Sequence, residues 1–359
     1  MRSWWGAELI EHNPPHAVWA RGHRTITMGQ LRAEVATSAA LLRAHGIGDG
    51  ATVALHGGPS FTHLWSLLAL WSLGAQVLQF PPGMAVADRR ALLRLCRPRF
   101  LVSFGGPPGA FVDECSVLVR PLPDGIGART SHCVVQFTSG TTGRPKVVGR
   151  TSESLFTEVD RMRALPGMPV AGERVAVLEG PSRSFGLIGG LLHALDVGAT
   201  VLFPPLGAAT AHVVLGNPGH FAALLGTRHR GALPHLRLAI SSGEPLPLGT
   251  YTAFLDRFGV RIGQAYGTTE TGLLAADPTG EHAPPAVGPP VPGVRLRVSR
   301  GVLEAHVPQS PYLHQPQPWA GGWMPTGDLV VTDHATGALQ LCGRDHHVAV
   351  ARQLARVGA

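Results

Sequence analysis

The chain has 359 residues, 44% of them hydrophobic and 15% charged, with a formal net charge of +7. That length suits two or three packed units around a large core, and the modest charge, with no run of basic residues, argues against a nucleic-acid surface. The four cysteines (Cys96, Cys115, Cys133, Cys342) are scattered without a CxxC pair, so neither a disulfide framework nor a zinc site is expected and a reduced cytoplasm suits them.

Residues 1–20 carry Glu8, Glu11 and two prolines, unlike a signal peptide. Apolar spacing then predicts a helix over Met28–His45, a strand over Ala51–Leu55, a helix over Phe61–Leu73 and a strand over Gln76–Phe80. The most apolar stretch, Leu64–Phe80, includes Ser66, Ser72 and Gln76 and is short for a membrane span; it reads as a buried helix running into a strand. Ala87–Leu95 is helical and Phe100–Ser103 strand-like, with Arg89, Arg90, Arg94, Arg97 and Arg99 spaced so that several share a solvated helix face, or a docking face for an acidic carrier domain. Gly105–Ser131, rich in Gly and Pro, reads as a shortened connection between sheets.

The alternation resumes at Arg174–Leu178, Phe185–Leu195, Thr200–Phe203, His235–Ser241 and Gly249–Phe258. Alternating β and α elements imply mostly parallel sheets covered by helices. After Pro284, short strands at Val294–Val298, Val302–His306 and Leu339–Leu341 stand between Pro- and Gly-rich turns, as in a small antiparallel or barrel-like region. The 18 histidines include the pair His346-His347 but show no metal-ligand spacing.

Lys146 is the one lysine among 30 lysine and arginine residues. A compact ammonium reaching a phosphate is not readily replaced by a planar guanidinium, so its retention points to phosphate chemistry. It closes the run Phe137-Thr-Ser-Gly-Thr-Thr-Gly-Arg-Pro-Lys146, which follows an apolar strand-like stretch from Cys133. Gly140 and Gly143 permit close backbone approach, and successive N–H groups with hydroxyls make an anion-binding nest. The spacing is not that of a P-loop, because Arg144 and Pro145 separate Gly143 from Lys146 and Val147 follows.

This run resembles the phosphate loop of the adenylate-forming superfamily: acyl- and aryl-CoA ligases, luciferases and peptide-synthetase adenylation domains. Further segments resemble that family in its order: Ser241-Ser-Gly-Glu-Pro-Leu-Pro247, Gln264-Ala-Tyr-Gly-Thr-Thr-Glu270, Trp323-Met-Pro-Thr-Gly-Asp328 and Gly343-Arg-Asp345. Upstream, Thr25–Leu31 and Gly46–Gly50 are similar to its opening segment. The resemblance implies the large N-terminal domain of such enzymes over 1–343: a first α/β part (1–130), a second with the nucleotide site (131–283), a β-rich part (284–343), then a truncated hinge and tail (344–359). It implies two helix-covered, mostly parallel sheets plus the β-barrel-like region.

It also implies residue roles. Thr138, Ser139, Gly140, Thr141, Thr142, Gly143 and Lys146 would hold the β- and γ-phosphates of ATP. Gly243, Glu244 and Pro245 would lie along the adenine with Gln264, Ala265 and Gly267, and Tyr266 would stack on it. Thr269 would hydrogen-bond the α-phosphate and Glu270 would bind Mg²⁺ through its carboxylate; with Lys146, these two form the expected catalytic set. Asp328 would accept from the ribose hydroxyls, and Arg344 would reach the ribose or phosphate. Phe185, Leu187, Gly263 and Thr268 would line the acid pocket, with Gly263 and Ala265 leaving room for a flat ring. Arg183 is a candidate partner for a carboxylate or carrier phosphate, beside the reading of a solvated arginine.

Family members continue past the hinge into a small C-terminal domain that carries a second lysine. Here the hinge is degenerate, Asp345-His-His-Val-Ala-Val350, and no second lysine exists, so an activation step that is slow without a partner is expected. The leading expectation is an ATP-dependent enzyme activating an aromatic or conjugated acid of secondary metabolism as an acyl-adenylate, with release of pyrophosphate. CoA, a carrier protein or an amine would be the acceptor. Two alternatives are a diazotase-like activation of nitrite for attack by an aryl amine, and a catalytically weak AMP/ATP-binding partner protein. No nucleic-acid or membrane partner is expected.

Overall fold

A computed structural model describes residues 4–106, 110–138, 146–204, 207–226, 233–313 and 319–344. Within it, three sheets converge on one region. The first has six strands in the order Val117–Pro121, Phe100–Phe104, Thr52–Gly57, Gln76–Phe80, His132–Thr138, Lys146–Thr151; the inner four run parallel and each outer pair is antiparallel. The second has eight, from Gly272–Asp277 through Ile262–Thr268, Leu238–Ser242, Val213–Gly216, Arg174–Val177, Thr200–Leu202 and Val18–Arg21 to Thr25–Thr27, parallel inside and antiparallel at both edges. The third is a five-stranded antiparallel sheet: Ala286–Gly288, Leu339–Arg344, Trp323–Thr332, Val302–His306, Leu296–Ser299.

Local chemistry starts the helices where the sequence predicts them. Thr27 and Gln30 form a reciprocal capping box at the head of Met28–Ala44, whose buried Leu31, Val35, Ala39 and Leu42 form one stripe. Ser60 caps Phe61–Ser72 by accepting from the His63 N–H at 3.1 Å. Every residue from Phe61 to Trp71 is buried, because residues of both large sheets pack around this helix in one continuous core. Hydrophobicity on all faces is what such a position demands.

Three expectations need correction. Gly105–Ser131 does not connect two sheets: it contributes the edge strand Val117–Pro121 and returns to the same first sheet. Sheet membership also crosses the 1–130/131–283 division. Val18–Arg21 and Thr25–Thr27 complete the second sheet, while His132–Thr138 and Lys146–Thr151 complete the first. The Phe185–Leu195 helix is wound as a π-helix over Gly186–Leu192 before becoming α-helical at His193–Val197. Close packing accompanies that winding: a Cβ on Gly190 would stand 2.5 Å from Val177. Of the arginine cluster, only Arg89, Arg90 and Arg94 lie on the helix Val86–Cys96. Arg97 caps that helix in the left-handed region and donates to the Asp124 carbonyl.

Two buried histidines tie stability to pH. His63 and His193 have no hydrogen-bond partner at either ring nitrogen among the described residues, and burial lowers each to about 4. Between pH 6.5 and 4 the unfolded chain therefore binds more protons than the folded one, so stability falls as pH falls. Acidification from pH 7 to 5 should cost roughly 2 kcal/mol per histidine. His193→Leu should remove about half of that slope, read from denaturant unfolding at a series of pH values; an unchanged slope would exclude His193 as a source.

Candidate active site

Ligands of open α/β sheets bind beyond the carboxyl ends of the strands; here the second sheet presents such ends, and the other two sheets add residues, to one cavity of about 310 Å³. The first sheet supplies Thr138 at the end of one strand and Lys146 at the start of the next, held opposite each other by the strand register. Ser139, Gly140, Thr141, Thr142 and Gly143 lie outside the described residues. The second sheet supplies Gly243 beyond Leu238–Ser242, and Gly267, Thr268, Thr269 and Glu270 from the end of Ile262–Thr268. The third supplies Thr326, Gly327 and Arg344.

Lys146 Nζ stands 3.1 Å from Glu270 Oε1, with the two side chains 16% and 10% exposed. The Tyr312 hydroxyl donates to the same carboxylate oxygen at 3.1 Å. Burial pushes Glu270 upward, but the Lys146 ammonium, the backbone N–H and Tyr312 outweigh it and hold the carboxyl below its usual range. One fixed cation and one fixed anion thus meet in a largely desolvated place, where charge acts strongly. The preceding turn is locked by Thr268 and Thr271, each N–H donating to the other hydroxyl at 3.3 and 3.2 Å.

Asp328 does not itself line the cavity but adjoins two residues that do, Gly327 and Arg344. It accepts from the Tyr266 hydroxyl at 2.7 Å and from Arg344 Nε at 3.0 Å. Its backbone N–H donates to Thr326 Oγ1 at 3.1 Å. Arg344 is mostly exposed and Asp328 mostly buried, so the pair spans the cavity edge rather than lying on the open surface.

Several predicted residues stand elsewhere. Tyr266 is 9% exposed, packs with Leu274, Val287, Leu303 and Val330, and does not line the cavity; burial and then Asp328 push its hydroxyl upward. Gln264 donates its amide to the Ala286 carbonyl, tying the second sheet to the third, and Ala265 is core. Leu187 is fully buried within the π-helix and does not line this cavity, whereas Phe185 does. Gly263 is not a pocket residue either, because a Cβ there would sit 2.0 Å from the Pro278 carbonyl oxygen. Its smallness serves sheet packing. Gly263→Ala should therefore lower the unfolding midpoint or the soluble yield without widening or narrowing acid preference; a changed preference in a fully stable variant would restore Gly263 to the pocket. Glu244 and Pro245 are exposed beside Gly243.

The structure adds residues that the motifs did not mark. Glu179, two positions beyond the strand Arg174–Val177, lines the cavity with Arg183, Ser184 and Met162. Buried Gln136 receives the Ser184 hydroxyl at 2.6 Å and donates to the Ser182 carbonyl at 3.1 Å, which fixes the Ser182–Phe185 wall. Arg150 and Glu158, the latter also lining the cavity, form a buried pair at 2.8 Å. The one available signal for Glu179 was its position at the carboxyl end of a central parallel strand.

A family model described as AMP-binding enzyme matches residues 8–305. Among curated proteins, the chain is 27% identical to the anthranilate–CoA ligase of Pseudomonas aeruginosa, over 94% of this chain and 74% of that ligase. It is 25% identical to the 3-hydroxybenzoate–CoA ligase of an Aromatoleum species, over 84% of this chain and 66% of that protein. Among solved structures, ATP-bound MatB from Rhodopseudomonas palustris superposes with a TM-score of 0.77 at 22% identity, over 94% of this chain and 78% of that one. Among the described residues, no helix is long and apolar enough to cross a membrane.

Proposed function

Because the chain belongs to the AMP-binding enzyme family, we propose that it uses ATP to activate a carboxylic acid, aromatic or conjugated, as an acyl-adenylate with release of pyrophosphate. The observation that carries this reading is the Lys146–Glu270 pair, 3.1 Å apart, between Thr138 and Thr269 at the meeting point of the sheets. The acid carboxylate attacks the α-phosphorus, and charge grows on the phosphate oxygens as pyrophosphate leaves. Lys146 and the Thr138 and Thr269 hydroxyls offer fixed donors for that charge, and positioning of the two reactants supplies the rest. No protein nucleophile is required. Asp328 would accept from the ribose hydroxyls, with Arg344 alongside.

Mg²⁺ fits this donor set through Glu270. Among the described residues no cluster of three potential ligands exists, and one carboxylate plus nucleotide phosphates is how Mg²⁺ is usually held. Bound there, it would neutralise phosphate charge. Met162, Phe185 and Leu273 give the cavity apolar walls beside Gly267 and Gly272, in keeping with a flat acid and with the aromatic acids named for the related ligases.

The test is acid-dependent exchange of labelled pyrophosphate into ATP, run with benzoate, anthranilate, hydroxybenzoates and aliphatic acids. Exchange with at least one aromatic acid is expected. Absence of exchange with every acid would overturn the reading.

A further inference from the structure

A second cavity of about 450 Å³ adjoins the first, and Glu179 and Arg183 line both. Its walls are apolar, from Leu64, Pro81, Phe111, Leu191 and Phe203. Its polar side chains are few: His63, Ser182, Asn217 and His220, with Glu179 and Arg183 at the junction. An apolar hollow with a few convergent polar groups is the usual form of a small-molecule site.

His63 is the telling residue. It is 1% exposed, it lines the cavity, and neither ring nitrogen has a partner among the described residues. A buried polar group without a hydrogen bond is costly, and a ligand N–H would satisfy it. Burial holds the ring neutral, at about 4, so one ring nitrogen is an acceptor.

We propose that the second cavity binds an aromatic amine as the acyl acceptor and that Glu179 takes the amine proton as the amide bond forms. This rests on the adenylation reading above. The amine lone pair forms a C–N bond to the acyl carbon, the acyl–phosphate C–O bond breaks, and AMP departs with its electron pair. The surplus N–H proton passes to the Glu179 carboxylate.

The electrostatics favour an amine over a thiol. A thiol attacks as thiolate, which cationic surroundings stabilise. Here Glu179 stands at the junction, and Glu244 is near enough to push it further upward. In the second cavity itself Arg183 is the one cation among the lining residues and Glu179 the one carboxylate; Lys146 and Arg344 stand in the first cavity, toward the phosphates. Burial, with Glu244 and against Arg183, raises Glu179 to about 7. A carboxylate in that range exchanges protons readily at neutral pH, as a general base should. The other titratable groups of the second cavity are His63 and His220, both lowered by burial, and the first cavity adds Lys146, Glu158, Glu270 and Arg344. The carboxylate is 4.0 Å from where a Cβ of Gly243 would stand, so it borders the nucleotide loop as well.

The experiment uses the purified chain with ATP, Mg²⁺ and an acid that supports pyrophosphate exchange. Aniline and benzylamine serve as amine probes, pantetheine as the thiol, and products are read by mass spectrometry. Amide formation saturable in aniline is expected. Glu179→Gln should lower amide kcat about 10²-fold or more and remove the acidic limb of its pH profile near 7, whereas Glu179→Asp retains part of both. His63→Leu should raise the KM for aniline more than it lowers kcat. Exchange without amide, amide rising linearly with aniline, saturable thioester with pantetheine instead, or an unaltered pH profile in Glu179→Gln would each overturn this inference and leave adenylation standing. Absence of exchange overturns both.

Discussion

Lys146→Ala should reduce ATP-dependent activation about 10²–10³-fold, the usual loss when one fixed donor to developing charge is removed. The lysine lies at the first position of its strand with its ammonium in the cavity, so few packing contacts go with it. Among the described residues, its removal leaves the Glu270 carboxylate with Tyr312 as its remaining side-chain partner (3.1 Å), at a cost of roughly 1–2 kcal/mol. That moves the unfolding midpoint of a chain this size by only a few degrees, so lost activity with a near-normal melt is the expected pattern. Glu270 supplies a further check. In the wild type its folded-state pKa is depressed, so its contribution is present above the unfolded value and lost as pH falls through the folded one. Without the ammonium, burial dominates and its pKa rises, so the acid-side loss of stability that Glu270 causes in the wild type should shrink or reverse, a carboxyl raised above its unfolded value favouring the folded chain as pH falls. Lys146→Arg separates charge from shape: the cation remains, but a planar fork replaces a point charge, and turnover should stay well below wild type. Undiminished turnover in Lys146→Ala would remove the phosphate role altogether.

Glu270→Gln should raise the Mg²⁺ concentration needed for half-maximal activation strongly and lower saturated turnover by about 10²-fold. The substitution keeps shape and removes charge, and no other carboxylate stands in reach of Lys146 among the ion pairs of the described residues. AMP affinity should change little, because the ribose side is the proposed place of Asp328 and Arg344, 3.0 Å apart. Mg²⁺ titrations of pyrophosphate exchange, set beside calorimetric AMP binding, separate the two effects. Equal losses of Mg²⁺ response and AMP affinity would make Glu270 a structural partner of Lys146 rather than a metal ligand.

Much of the site was legible because its parts are contiguous in the chain. Thr138 and Lys146 pair across neighbouring strands; Thr268, Thr269 and Glu270 form one turn, closed by Thr271. Groups brought together by a strand pair or a single turn depend on local geometry, so a motif reports them. The helix Phe61–Ser72 was legible for a related reason, since hydrophobicity on every face requires burial between layers.

What stayed hidden depends on partners far along the chain. Tyr266 carries a motif signal for an exposed aromatic face, yet its hydroxyl is held by Asp328, 62 residues on, and its ring packs inside. Gly263 has the smallness expected of a pocket wall, but the Pro278 backbone crosses over it. Glu179 has no motif at all; it matters because the end of its strand falls at the junction of two cavities.

The sequence by itself determined the chemistry on offer: one retained lysine in a glycine- and hydroxyl-rich loop, a carboxylate turn, and the alternation that builds parallel sheets. Those features are local, set by side-chain type and spacing of a few residues. Only the tertiary structure decided which of them face a common space, because strands from residues 18–27 join a sheet otherwise built after residue 174. Likewise, Asp328 and Arg344 arrive from a third sheet. Facing across such separations is set by sheet order and packing, which no short stretch of sequence contains.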